Sequence, residues 1–510
     1  MKILSFLLII FLSNLSIAQS IQWQKSLGGT NNERANRVKQ TTDGGYIIAG
    51  ESYSNDGDVS GNHGVQDAWI VKLTNIGGIS WQKSLGGTGD ERITSIQQTM
   101  DGGYIVAGET NSNDGDISGN NGLRDYWIVK LTSLGIITWQ KSLGGSSFDH
   151  GYNIQQTTDG GYIVTGNSSS NDGDVTGNHG SVDGWIVKLT STGNITWEKS
   201  FGGSSADYLT RIQQTSDGGY VALGSSFSNN GDVTVNNGSI DYWVIKLTSN
   251  GNITWEKSLG GTNSDLGSSI KQTTDGGYIV TGSSDSNDGD ITGNKGGFDV
   301  WAVKLTSTGI ISWQKSLGGT GDDYGVSIQQ TIDGKYIIAA YSNSLDGDVT
   351  GNHGLNDYWL VKLTTTGVID WQKSLGGGAE EWANHIQQTT DGGYIVVGFS
   401  DSNDGDVSGN HAGTEDFWVV KLFATVGLKE YNLSNISLYP NPTTENITID
   451  LGEIKQNVKA TLTNSLGQVI LSKNYTSTNI INLDIDAPSG IYFLHLEIDG
   501  EVITKKIIKE

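Results

Sequence analysis

Carboxylates two residues apart around a glycine, with serine and asparagine beside them, are the densest chemistry-bearing groups in this 510-residue chain. The run Ser54-Asn55-Asp56-Gly57-Asp58 opens a long segment ending at Asp67. The same triad returns as Asp114, Asp116 and Asp125, and as Asp172, Asp174 and Asp183. Later copies hold Asp288, Asp290 and Asp299, then Asp346, Asp348 and Asp357, then Asp404, Asp406 and Asp416. One copy departs, with Asn230 ahead of Asp232 and Asp241. Such sets supply the hard oxygens of which Ca2+ takes about six to eight, so these aspartates are candidate ligands of a calcium cofactor. The alternative is that Asp, Asn, Ser and Gly form Asx-turns that shape a long loop without metal. The twelve-residue helix-loop-helix pattern is absent, so no EF-hand is expected. His63, His179, His353 and His411 lie in these segments, but the matching positions hold Asn121, Asn237 and Lys295, which argues against a shared imidazole ligand.

A second group occupies the segments that vary most from copy to copy: Phe148, Tyr152, Tyr208, Tyr324 and Trp382, beside Arg34, Arg92 and His150. Flat rings next to charges suit the stacking of sugars or the gripping of a peptide. Variation on a constant frame is how a scaffold gains a partner-specific surface. Tyr152, Tyr208, Tyr324, Trp382, Arg34 and Arg92 are therefore the expected binding residues, with half-buried rim packing as the competing explanation. Hydrolysis or lysis of a polysaccharide is the runner-up, using acids such as Glu33, Glu91, Asp149, Glu380 and Glu381 near a ring axis. Against it, a catalytic centre needs a unique acid and base, whereas these carboxylates recur in nearly every copy. Neither G-x-S-x-G nor H-E-x-x-H occurs. Similar loops in many copies favour multivalent binding.

The elements that must carry these groups follow from a 58-residue period. Tryptophans stand at 23, 81, 139, 197, 255, 313 and 371, and the aspartate of a T-x-D-G turn keeps step at 43, 101, 159, 217, 275, 333 and 391. Each copy reads as four short strands, such as Ile96–Thr99, Tyr104–Gly108, Asp125–Leu131 and Ile137–Leu143, joined at glycine-bearing turns. Strands apolar on both faces describe blades packed between neighbours, hence a seven-bladed β-propeller over residues 19–422. The chain begins with a fourth strand, Ile21–Leu27, and the last copy stops at a third, Trp418–Leu422. Pairing these two closes the ring and removes the free edge.

Composition excludes other classes. Thirty-one basic against 55 acidic residues give a net charge of −24, which disfavours nucleic acid. Without cysteine there is no disulfide, thiolate metal site or cysteine nucleophile. Residues 1–18 read as a signal peptide, with Lys2, an apolar run and Ser16-Ile17-Ala18, and no later run is long enough for a membrane helix.

From about Asn432 the period vanishes, and all three prolines follow. Residues 423–431 read as a linker, and 432–510 as a small Ig-like β-sandwich of short strands that include Asn446–Asp450, Val458–Thr463 and Ile491–Ile498. The stretches D-Y-W-I-V-K-L, I-T-W-Q-K-S-L-G-G and Q-Q-T-T-D-G-G-Y-I-V-A-G resemble tandem propeller repeats of secreted bacterial and archaeal proteins. In the tail, Leu438-Tyr439-Pro440-Asn441-Pro442, Asn464-Ser465-Leu466-Gly467-Gln468-Val469, Ser489-Gly490-Ile491-Tyr492 and Lys505-Lys506-Ile507-Ile508-Lys509 resemble the type A C-terminal sorting domain of type IX secretion in Bacteroidota. Glu510 after the terminal lysine departs from that pattern. The resemblance implies passage across the outer membrane, a partnership with the secretion machinery, and release or surface attachment of the propeller. It also implies recognition or folding roles for Gly490, Tyr492, Lys506 and Lys509. An exported propeller that binds glycan or protein through its loop face, without catalysis, is the expected function.

Overall fold

The computed structural model describes residues 19–411, 413–424, 436–464, 467–498 and 501–510. The expected leader and residues 425–431 of the expected linker lie outside the described residues. The chain divides into two compact units, Met1–Thr425 and Val426–Glu510.

Every described element is a strand. In the first repeat the strands Glu33–Gln40, Tyr46–Ser52, Asp67–Leu73 and Ile79–Leu85 pair antiparallel in chain order. The two middle strands are buried at every residue. That follows from apolar side chains on both faces, each face covered by a neighbouring sheet. Six such sheets run in chain order, and the seventh takes its outer strand from the start of the chain. Ile21–Leu27 pairs with Asp416–Leu422, setting Gln24 opposite Val420 and Leu27 opposite Phe417. On the other side of that sheet, Ile395, Val397 and Val419 share a core with Tyr46, Ile48 and Trp69 of the first repeat. The last sheet thus packs on the first, giving a closed, propeller-like repeat fold.

The periodic tryptophans make the joints between sheets. Trp23 meets the ring of Tyr46 at 5.7 Å and Trp81 that of Tyr104 at 6.0 Å, each ring edge-on to one in the following sheet. Beneath Trp23 lies Gly77, at φ 80°, where an added Cβ would stand 3.0 Å from the indole. Glycine is needed there both for the left-handed turn and for the close approach. The T-x-D-G aspartates shape the opposite turns. Asp43 accepts from Gly45 N–H at 2.9 Å and pairs with Lys72 at 2.9 Å. Burial alone would raise its pKa, but Thr41, Lys72 and the Gly45 amide outweigh it and hold the group at about 2.

Each inner strand carries a β-bulge, as between Ala35 and Arg37. The bulged residues are Asn36, Thr94, Tyr152, Thr210, Ser268, Val326 and Asn384, and all seven line one cavity of about 260 Å3. The inner strands therefore face a common axis, with the bulges turning one side chain per sheet toward it.

The second unit is a curled sheet of strands Ser437–Tyr439, Asn446–Asn464, Val469–Asp484, Gly490–Ile498 and Glu501–Lys509. Two of the expected short strands are one long strand, Asn446–Asn464, with a register break between Asp450 and Lys455. The break sits where the apolar alternation lapses. Ile449, Leu462, Ile481, Leu494 and Ile507 lie in its core. Tyr492 is buried and donates from Oη to the Pro488 carbonyl at 2.6 Å. Gly490 opens its strand, Lys506 lies exposed opposite Phe493, and the Lys509 ammonium bonds the Thr444 carbonyl.

Candidate binding cleft on the loop face

The aspartate loops and the connections between sheets share one face because they bond to each other. Thr30 N–H donates to Asp56 at 2.8 Å, and Asp58 N–H to the Gly28 carbonyl at 2.8 Å. The amide clamp repeats at Asp114, Asp172, Asp288, Asp346 and Asp404 over 2.7–2.8 Å. Asn230 accepts the same bond from Ser204 at 2.8 Å, so this role needs an oxygen and not a charge. Asp116, Asp174, Asp290, Asp348 and Asp406 each donate from N–H to the corresponding Gly carbonyl.

The third aspartates, Asp67, Asp125, Asp183, Asp241, Asp299, Asp357 and Asp416, are fully buried. His63, His179, His353 and His411 contact four of them through Nδ1 at 2.7–2.8 Å. Glu33, Glu91, Asp149 and Glu381 are buried at the sheet junctions, where each accepts a glycine N–H. Among the described residues no group of three or more His, Asp or Glu is arranged to hold a metal.

The asymmetry needed for a unique site lies one layer further in. The second residue of each inner strand stands opposite the sixth of the next strand. The first two pairs are charged, Arg34 with Glu51 and Arg92 with Glu109. The last two are aromatic, Tyr324 with Tyr341 and Trp382 with Phe399. These aromatic rings continue across the junctions as one ladder. Phe298 lies 5.2 Å from Tyr324, Tyr324 5.0 Å from Tyr341, Tyr341 4.6 Å from Trp382 at 9° between planes, and Trp382 5.6 Å from Phe399. The guanidinium of Arg34 caps the ladder, 5.2 Å from the centre of the Phe399 ring.

A cleft of about 490 Å3 opens at that end, lined by Arg34, Glu51, Arg92, Glu380, Trp382 and Phe399 among others. Glu415 fixes Arg34 with two contacts, one of them at 2.8 Å, and Glu380 accepts the Trp382 indole N–H at 2.8 Å. The indole of Trp382 and the guanidinium of Arg34 are therefore held in place at the cleft, with the Trp382 faces packed between Tyr341 and Phe399 and part of the indole, 37% exposed, reaching solvent. Burial pushes Glu51 up to about 7, against the opposing pull of Arg92 and a bond from Asn36. In Glu109 burial acts the same way, yet His150, Arg92 and Arg124 outweigh it and lower its pKa. Neighbouring carboxyls held apart in protonation suit acid–base work.

Of the expected binding residues, Tyr324, Trp382 and Arg34 join the ladder, and Arg92 lines both the cleft and the axial cavity. Tyr152 lines the axial cavity, and Tyr208 pairs with Phe227 at 6.5 Å. Glu51, Glu109, Tyr341 and Phe399 were not among the expected residues. Aligning the repeats on their second strand would have shown them, since the sixth position reads Glu, Glu, Asn, Ser, Ser, Tyr, Phe.

Residues 437–510 match the family described as the secretion system C-terminal sorting domain. This domain marks the protein for type IX secretion, to the cell surface or beyond. The chain is similar to the regulatory protein FlaEY of Caulobacter vibrioides, 24% identical over 378 residues, which cover 65% of this chain. The matched region spans only 39% of that relative's length. Distant structural similarity extends to a puromycin hydrolase, 11% identical with a TM-score of 0.44, covering 83% of this chain and 59% of that one. It extends also to YCF48 bound to D1 peptide, 11% identical with a TM-score of 0.39, over 79% and 94% of the two chains. No helix among the described residues is long and apolar enough to cross a membrane.

Proposed function

We propose that the chain is an exported, seven-bladed propeller that binds a glycan through the cleft beside Trp382, carried outward by its Ig-like tail. The aromatic ladder is the observation that carries this reading. A part-exposed indole at the end of the ladder, flanked by fixed polar groups in a cleft, suits sugars, which present apolar faces and hydroxyl rims. In the tail, Gly490, Tyr492, Lys506 and Lys509 are the proposed residues read by the secretion machinery.

A glycan-array screen of the purified protein tests the binding reading. Selective retention is expected, and Trp382→Ala should weaken it about tenfold or more, as for a central aromatic anchor. Retention that ignores the substitution would remove the cleft from the proposal.

Glu51, which lines the cleft beside Trp382 and whose carboxyl burial pushes up to about 7, favours hydrolysis of the bound glycan as the second reading, with Glu51 as proton donor. Turnover of a retained glycan, lost in Glu51→Gln while retention persists, would establish it. Calcium at the loop aspartates has its own test. A bound ion must raise the melting temperature above that in chelator, whereas superimposed curves leave the aspartates as loop clamps alone.

A further inference from the structure

Along the axis, the inner strands place basic side chains facing one another. The fifth residue of these strands is Arg37, Arg211 or His385 in three repeats, and Ser or Asn in the other four. The seventh is Lys39 or Lys271 in two repeats and glutamine in five. Where glutamine stands there, as at Gln97, Gln155, Gln213 and Gln387, its side-chain oxygen accepts a backbone N–H from the next inner strand at 2.7–3.0 Å. Lysine has no acceptor, so Lys39 and Lys271 forgo a bond that ties neighbouring strands.

Among the described residues none of the five basic groups joins an ion pair, and Arg37, 6% exposed, donates no side-chain hydrogen bond. His385, 4% exposed, leaves Nδ1 without a partner, as Arg211 leaves Nε. Burial and then Arg37 bring Lys39 down to about 8. Burial likewise lowers Lys271 and His385, with Arg37, Lys39 or Lys271, and Arg211 adding repulsion. Lysine and histidine can shed their protons, but a guanidinium keeps its charge. Arg37, Lys39 and Lys271 line a cavity of about 90 Å3 with Ser95, Asn153 and Gln97, room for several waters or one small ion.

We infer that this axial cavity is an anion site that takes one inorganic oxyanion, phosphate or sulfate, between Arg37, Lys39 and Lys271. Tetrahedral oxygens would meet the unpaired donors and cancel the repulsion of like charges in a chain otherwise strongly acidic. The inference is independent of the rim cleft.

Titration calorimetry of inorganic phosphate and of sulfate into the purified protein, at matched ionic strength in chloride, tests it. One saturable site per chain is expected. The variant K39Q/K271Q restores the glutamine of the other repeats, so it should melt no lower than the parent in chloride, yet bind the oxyanion about tenfold or more weakly. The melting-temperature rise that phosphate gives the parent should shrink in the variant, which separates site binding from the general stabilisation such salts exert. Absence of saturable binding in the parent, or equal affinity in the variant, overturns the inference.

Discussion

Deleting Gln19–Leu27 should abolish cooperative thermal unfolding of the propeller and send most of the protein into aggregates. The loss is large because the segment is the outer strand of the seventh sheet. It supplies the ladder bonds to Asp416–Leu422, the Gln24 side-chain oxygen that accepts the Trp418 indole N–H at 3.0 Å, and the buried Leu27. With net hydrogen bonds at about 1 kcal/mol each and apolar side chains at about 2 kcal/mol, the sum approaches 10 kcal/mol. That is of the order of a whole domain's stability. The deletion also leaves a long apolar edge, since Trp418, Val419 and Val420 are completely buried in the intact ring. Calorimetry reads the result, and a deletion protein that melts like the parent would refute ring closure by this strand.

Stability should also fall as pH rises from about 5 to 8, and Asp299→Asn should lessen that fall. At each junction two buried carboxyls flank a glycine. Asp299 and Asp323 reach within 2.8 and 2.3 Å of where a Cβ on Gly318 would stand, and Asp125 with Asp149 and Asp241 with Asp265 repeat the arrangement. Oδ1 of Asp299, Asp125 and Asp241 has no hydrogen-bond partner. Burial, with the facing carboxylate adding to it, raises Asp299 to about 7 and Asp125 and Asp241 to about 6. A carboxyl whose folded pKa exceeds its unfolded value binds its proton more tightly when folded. Its contribution is complete below the unfolded value and is lost as pH rises through 6 to 7.

The T-x-D-G aspartates act in the opposite sense. Asp43, Asp101, Asp159, Asp217 and Asp275, held at about 2, add stability above the unfolded carboxylate value and lose it as pH drops toward 2. Maximum stability is expected near about pH 5, between the two windows. Asparagine at 299 can accept the Lys295 N–H that Asp299 takes at 3.0 Å while donating to Asp323. D299N should therefore gain about 1 kcal/mol at pH 8 and change little at pH 5. Chemical denaturation at the two pH values measures this, and an equal effect at both would show that Asp299 does not hold a proton.

Sheet order and ring closure were legible in the sequence because both depend on strict period and burial. The seven tryptophans and T-x-D-G turns fixed the repeat, and the unmatched strand at each end of it required a partner. The tail was less legible. Leu451–Asn457 breaks the apolar alternation, so one strand read as two, although pairing with Val469–Asp484 carries the backbone through. At the site the repeated aspartates stood out by their number, and the first of each set accepts a backbone N–H that clamps its loop. The informative residues were the exceptions to the repeat. Glu51, Tyr341 and Phe399 at one register, and Arg37, Lys39, Lys271 and His385 at two others, become neighbours only when the ring brings distant repeats together.

Closure by the first strand imposes an order on assembly. Ile21–Leu27 is synthesised before its partner Asp416–Leu422 by nearly the whole length of the ring, so the bond that finishes the fold joins the earliest and latest parts of the propeller. Contacts of such long sequence separation form slowly. Until the last repeat emerges, the first strand waits as an unpaired edge, and the protein is most exposed to aggregation during that interval. Any holding factor acting before completion therefore has a defined client: an open arc with one orphan strand at its head.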